Sequence, residues 1–171
     1  MQFTNVILAS LVAYASAKQV KMFTSSNDTE VNHKGLSSIH EGAAINYFQL
    51  GDDAEVLEYD EEKGIIYKEI DIGGVGYNWT VSVSDVNSGF PYLELGPNEG
   101  AGDEWQVTQW GTDRFLFSEN PDLFGPFSVA KNTSDPYRVS ERAYLVGLGD
   151  PESFKDSVSD LKEVNIVIES V

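Results

Sequence analysis

The sequence predicts an all-β fold, a single antiparallel domain, on three observations. Clusters of Gly, Asn, Asp and Pro interrupt the chain at short intervals. The segments between them are rich in Val, Ile, Tyr, Phe and Trp, which suit a pleated, half-buried surface. Several of those segments alternate apolar and polar residues, so each turns one face toward a core.

Taken in chain order, Ala54-Glu55-Val56-Leu57-Glu58-Tyr59 alternates and leads into a hairpin from Tyr59 to Tyr67. Its loop is the acidic run Asp60-Glu61-Glu62 with Lys63 and Gly64. Trp79-Thr80-Val81-Ser82-Val83 and Trp105-Gln106-Val107 follow as strand segments, and Val164-Asn165-Ile166-Val167-Ile168 closes the series. The one helical candidate begins after Asp150-Pro151, where Phe154, Val158 and Leu161 share a face and Asp150 is placed to cap the start.

A faint repeat bears on the architecture. Tyr47-Phe48-Gln49-Leu50-Gly51, Tyr92-Leu93-Glu94-Leu95-Gly96 and Tyr144-Leu145-Val146-Gly147-Leu148-Gly149 share an aromatic start and a Leu-Gly end. Three such units would suit a β-trefoil, in which no unit buries its own apolar face and three close around a common core. A trefoil-like fold is therefore favoured, with a β-sandwich as the alternative that explains the strand spacing nearly as well.

The N-terminus reads as a leader. Val6 to Ala13 is apolar but too short to span a bilayer, and Ala15-Ser16-Ala17 supplies small residues for cleavage. The expected organisation is a signal peptide over 1–17 and one extracellular β domain over 18–171, against the alternative of a buried first strand. Three N-x-[ST] acceptors, at Asn27, Asn78 and Asn132, agree with passage through the secretory pathway.

Composition narrows the function. A hydrophobic share of 41% is enough for a packed core. With no cysteine, that core has to hold by packing and hydrogen bonds, and thiol catalysis and cysteine zinc sites are excluded. A formal charge of −17 makes nucleic acid and anionic membrane surfaces poor partners. The end at Ile166 to Val171 lacks the polar spacer and apolar tail of a glycolipid anchor, so no membrane anchor is expected.

Chemistry-bearing motifs are sparse. His33 and His40 do not match a zinc-ligand spacing, and structural or exposed roles are expected for both. No G-x-S-x-G elbow, P-loop or D-x-D-x-D-G loop occurs. Gly96 to Glu104 reads as a flexible turn. No cofactor, metal or catalytic residue is therefore expected, although a glycosidase pair of carboxylates would be invisible among 28 acidic residues. Trp79 and Trp110, with Trp105, are the candidates for stacking on sugar rings, which would make the domain a lectin-like module.

The block Ser38-Ile39-His40-Glu41-Gly42-Ala43-Ala44-Ile45-Asn46-Tyr47-Phe48, the Tyr59-Asp60 hairpin and Asp135-Pro136-Tyr137-Arg138-Val139-Ser140 resemble small cell-wall mannoproteins of Candida-type budding yeasts. The resemblance covers most of the chain beyond the leader. It implies an extracellular, glycosylated protein with a non-enzymatic surface role, whose partners are wall polysaccharide or other wall components. Anchored members continue into a Ser/Thr-rich stalk and anchor signal and often carry cysteines; this sequence shows neither.

Overall fold

The computed structural model describes residues 17–40, 42, 45–84, 90–97, 105–110, 113–118, 126–149, 151–154, 156 and 158–171. The leader expected over 1–17 lies outside the described residues except for Ala17, as does most of the Gly96–Glu104 turn.

The chain forms twelve strands: β1 (Lys18–Ser25), β2 (Gly35–His40), β3 (Asn46–Gly51), β4 (Leu57–Asp60), β5 (Ile65–Ile72), β6 (Val75–Val83), β7 (Leu93–Gly96), β8 (Trp105–Trp110), β9 (Asp113–Ser118), β10 (Phe127–Lys131), β11 (Leu145–Leu148) and β12 (Ser159–Ser170). All belong to one sheet of antiparallel pairings in the order β2-β1-β4-β5-β6-β7-β3-β11-β10-β12-β9-β8. Pairing of β1 with β12, from Val20 opposite Ser170 to Ser25 opposite Asn165, closes β1, β4, β5, β6, β7, β3, β11, β10 and β12 into a nine-stranded barrel. Closure removes sheet edges that would otherwise expose unpaired backbone. The all-β, antiparallel expectation is borne out, and the arrangement is a closed barrel instead of two facing sheets.

The three aromatic-Leu-Gly segments coincide with β3, β7 and β11, or abut them, and these strands meet one another. Tyr47 pairs with Glu94, Leu145 with Gln49, and Tyr92 bridges to Gly147. Tyr47 and Tyr92, the aromatic starts of two segments, stack with ring centroids 4.1 Å apart. Each of these strands is reached through a pairing with its predecessor in sequence: β2 with β3, β6 with β7, and β10 with β11.

Local chemistry explains the turns. In the expected hairpin, β4 and β5 pair from Glu58–Tyr67 to Asp60–Ile65. Asp60 Oδ1 accepts the backbone N–H groups of Glu62 and Lys63 at 3.0 and 3.1 Å, and Gly64 takes φ +73° where a side chain would be strained. The β5–β6 ribbon turns on Gly73-Gly74, both at positive φ, with Asp71 accepting from the Gly74 N–H.

Alternation survives in β1 and β12, whose buried residues Val20, Met22, Thr24, Val164, Ile166 and Ile168 face the barrel interior. By contrast β7 and β11 are buried throughout, and β10 is buried except at Lys131. Their inner residues, such as Leu95, Val129 and Val146, join the main core, while Tyr92, Ala130 and Leu145 pack on a second cluster with Phe90 and Val139. With both faces of β10 and β11 covered, Leu145 to Leu148 is apolar throughout, and Phe127 to Ala130 is broken only by Ser128, whose hydroxyl donates to the Gly149 carbonyl at 2.6 Å. The helical candidate is corrected: among the described residues only one turn forms, α1 (Pro151–Phe154), and Leu161 is already in β12, while the expected cap Asp150 lies outside the described residues. Phe154, Val158 and Leu161 nonetheless pack together on the second cluster, because that apolar face is satisfied by strand and turn as well as by helix.

Candidate functional site

The polar side chains that the fold concentrates lie where the β1–β2 loop crosses the seam between β10 and β12. The loop is fastened by Thr24, 2% exposed, whose hydroxyl donates to the Val31 carbonyl and accepts the Lys34 N–H at 3.1 Å. Asp28 stabilises the bend by accepting the Glu30 N–H at 2.9 Å. This leaves Asp28 and Glu30 facing Lys162 on β12, with Nζ to oxygen distances of 2.8 and 2.6 Å. Lys131, the last residue of β10, reaches Asp160 at 3.3 Å and sits 4.2 Å over the ring of Tyr144. The Tyr144 hydroxyl lies 2.5 Å from Asp160 and 3.1 Å from Glu30.

Two ammonium groups and three carboxylates thus enclose one phenol. Hydrogen bonds from Lys162 hold the carboxyls of Asp28 and Glu30 below their ordinary range, and the bond from Tyr144 does the same for Asp160. Burial raises the Tyr144 phenol, reinforced by Asp160, and the bonds to Asp28 and Glu30 raise the Lys162 ammonium. The three carboxylates are therefore kept ionised, and this cluster offers no protonated carboxyl of the kind a glycosidase uses as its acid. Its chemistry is that of a clamp, tying a loop to the barrel.

Clefts open beside the clamp. One of about 520 Å³ is lined by Ser25 to Asp28 and Lys162 to Asn165; another of about 300 Å³ includes Glu30, Asp52, Lys131 and Tyr144. A third, of about 410 Å³, lies around Asn132, Ser134, Asp135 and Arg138. Beneath it Asp135, 3% exposed, accepts the N–H groups of Val139 and Ser140 at 2.6 and 3.0 Å together with the Ser140 hydroxyl. The two blocks behind the family resemblance adjoin here: a Cβ on Gly42 would stand 2.9 Å from the Tyr137 hydroxyl.

The sequon asparagines Asn27, Asn78 and Asn132 are all exposed, on the β1–β2 loop, on β6 and just after β10. Trp79 is 5% exposed in the main core, which withdraws its ring from any sugar. Trp105 and Trp110 stand in β8, but their side chains lie outside what the structure describes. His33 stacks on Phe23 at 5.1 Å, and His40 is exposed with Nδ1 3.2 Å from Asn46 Oδ1. Among the described residues no group of acidic and histidine side chains is arranged to hold a metal ion. Sequence reasoning missed the clamp. Its members are scattered from position 28 to 162 with no spacing that marks them, and only the pairing of β1, β10 and β12 assembles them.

Fold and site together define a cysteine-free all-β barrel domain whose polar surface is organised by a lysine–carboxylate clamp. Three curated proteins of Candida albicans are similar to it. Cell wall protein PGA31 is 34% identical over 147 residues, 85% of this chain and 46% of that protein. Cell wall protein RHD3 is 35% identical over 147 residues, 85% of this chain and 66% of that protein, and Cell wall protein PGA30 is 29% identical over 142 residues, 83% and 47%. The chain belongs to this family of Candida-type cell wall proteins, and the resemblance read from its sequence blocks is borne out. It spans about half the length of two of these relatives and 66% of the other. No protein-family model and no solved structure matches it.

Proposed function

We propose that this chain is a secreted, acidic N-glycoprotein of the yeast cell wall that acts through its surface, without catalysis, and whose partners are wall polysaccharide or other wall components. The observation that carries the reading is kinship with cell wall proteins over 85% of the chain. The exposure of Asn27, Asn78 and Asn132, the net charge of −17 and the ionised clamp support it. Such a charge keeps neighbouring copies apart in a dense layer. We read the architecture as trefoil-like, supported by the meeting of β3, β7 and β11.

The test is intact mass of the protein from medium and from a wall extract, before and after removal of N-linked glycans. A chain cut after Ala17 and heavier by glycan is expected. An uncut, unmodified chain confined to the cell interior would overturn the proposal.

A further inference from the structure

Two of the clefts each carry a sequon asparagine in their wall: Asn27 in the cleft of about 520 Å³ and Asn132 in that of about 410 Å³. The third acceptor, Asn78, is on the β5–β6 ribbon, where residues 71–78 are all exposed, and lines none of the described clefts. Apart from Val164 and Pro136, the residues lining the two clefts carry hydroxyls, carboxamides, carboxylates or cationic ends. That mixture of donors and acceptors suits the hydroxyl and acetamido groups of a sugar, not an apolar ligand.

Both asparagines are also held in place. Ser26, before Asn27, donates its hydroxyl to the Glu163 carbonyl at 3.0 Å and its N–H to Asn32 Oδ1 at 3.0 Å. Asp28, after it, is bound by Lys162. Asn132 adopts φ 52°, its N–H donates to the Ser140 carbonyl at 3.0 Å, and its Nδ2 donates to Ser159 Oγ at 2.7 Å. An N-glycosylated asparagine keeps one N–H on Nδ2, a donor still available to Ser159 after attachment.

We propose that the innermost N-acetylglucosamine units on Asn27 and Asn132 lie in these clefts, so that the chain's own glycans are their ligands, while the glycan on Asn78 stands free. This rests on the N-glycoprotein reading above. Tethering makes weak sugar contacts sufficient, because a ligand on a short link is present at an effective concentration of the order of millimolar. These two clefts are then filled from within and closed to soluble ligands.

The experiment is site-resolved mass spectrometry of the native secreted protein during digestion with an endoglycosidase that cuts between the two core N-acetylglucosamines. A sugar docked about nine-tenths of the time is cut about tenfold more slowly. Asn78 should therefore be trimmed about tenfold faster than Asn27 and Asn132, and all three should be trimmed alike in denaturant. Arg138→Gly, at a cleft residue with φ 55° that Gly tolerates, should speed trimming at Asn132 and leave Asn27 unchanged. Equal native rates at three occupied sites would overturn the docking and leave the glycoprotein reading standing. Bare asparagine at Asn27 and Asn132 would overturn both at those sites.

Discussion

The Tyr144 hydroxyl donates to the Asp160 carboxylate at 2.5 Å, linking the residue that precedes β11 to the start of β12. Each partner shifts the other's titration, phenol upward and carboxyl downward, and Lys162 extends the coupling to Asp28 and Glu30.

This coupling sets a pH window. Asp28 and Asp160 (ordinary value 3.8) and Glu30 (4.5) are depressed in the fold, so their contribution is complete above about pH 5 and is lost as pH falls through the folded values. Lys162, raised from 10.5, contributes below that value and loses it as pH climbs through the folded one; Tyr144, raised from 10.0, opposes folding once the unfolded phenol ionises. Tm should therefore be flat between about pH 5 and 10 and fall on both sides. Lys162→Met should shrink both slopes; slopes identical to the parent's would exclude the clamp as their source.

Trp79 separates core from sugar platform. Its Nε1 is buried with no hydrogen-bond partner among the described residues, so Trp79→Phe removes a donor unsatisfied there while shrinking the ring. The change should cost less than about 1.5 kcal/mol in urea unfolding, whereas Trp79→Ala should cost about 3–5 kcal/mol. A loss of glycan binding by Trp79→Phe at unchanged stability would contradict the burial.

Gly147 tests the contact between the repeat strands. A Cβ there would lie 2.5 Å from the Phe90 ring and 2.6 Å from the Pro91 carbonyl, beside the bridge to Tyr92. Gly147→Ala should cost about 1–3 kcal/mol, measured by denaturant midpoint, because backbone on one side cannot yield. A neutral substitution would mean that β7 and β11 part without cost.

Asp135 organises the Asp-Pro-Tyr turn by accepting three bonds while 3% exposed. Asp135→Ala leaves the N–H groups of Val139 and Ser140 without this acceptor and should destabilise by about 2–4 kcal/mol, with Asp135→Asn recovering part of it. Equal stability of all three proteins would remove the turn from the features that hold the second core cluster.

Much of the fold was legible because it is written in local pattern. Tyr59 to Tyr67 carries its own turn chemistry in Asp60 and Gly64, and β12 displays its buried face as alternate apolar residues from Val164 to Ile168. The segment after Pro151 misled, since one apolar face is compatible with either a helix or a turn followed by a strand. Trp79 was open to two readings because composition near a sequon says nothing of which side of a ribbon enters the barrel.

By itself the sequence determined an antiparallel, disulfide-free β domain, three N-x-[ST] motifs and kinship with Candida-type wall proteins, all properties of short segments or of composition. Only the tertiary structure decided the closed barrel, the burial of Trp79 and the assembly of Asp28, Glu30, Lys131, Tyr144, Asp160 and Lys162. The physical reason is sequence distance: Lys162 meets Asp28 across 134 positions through strand pairings that leave no periodic trace in the residues they join.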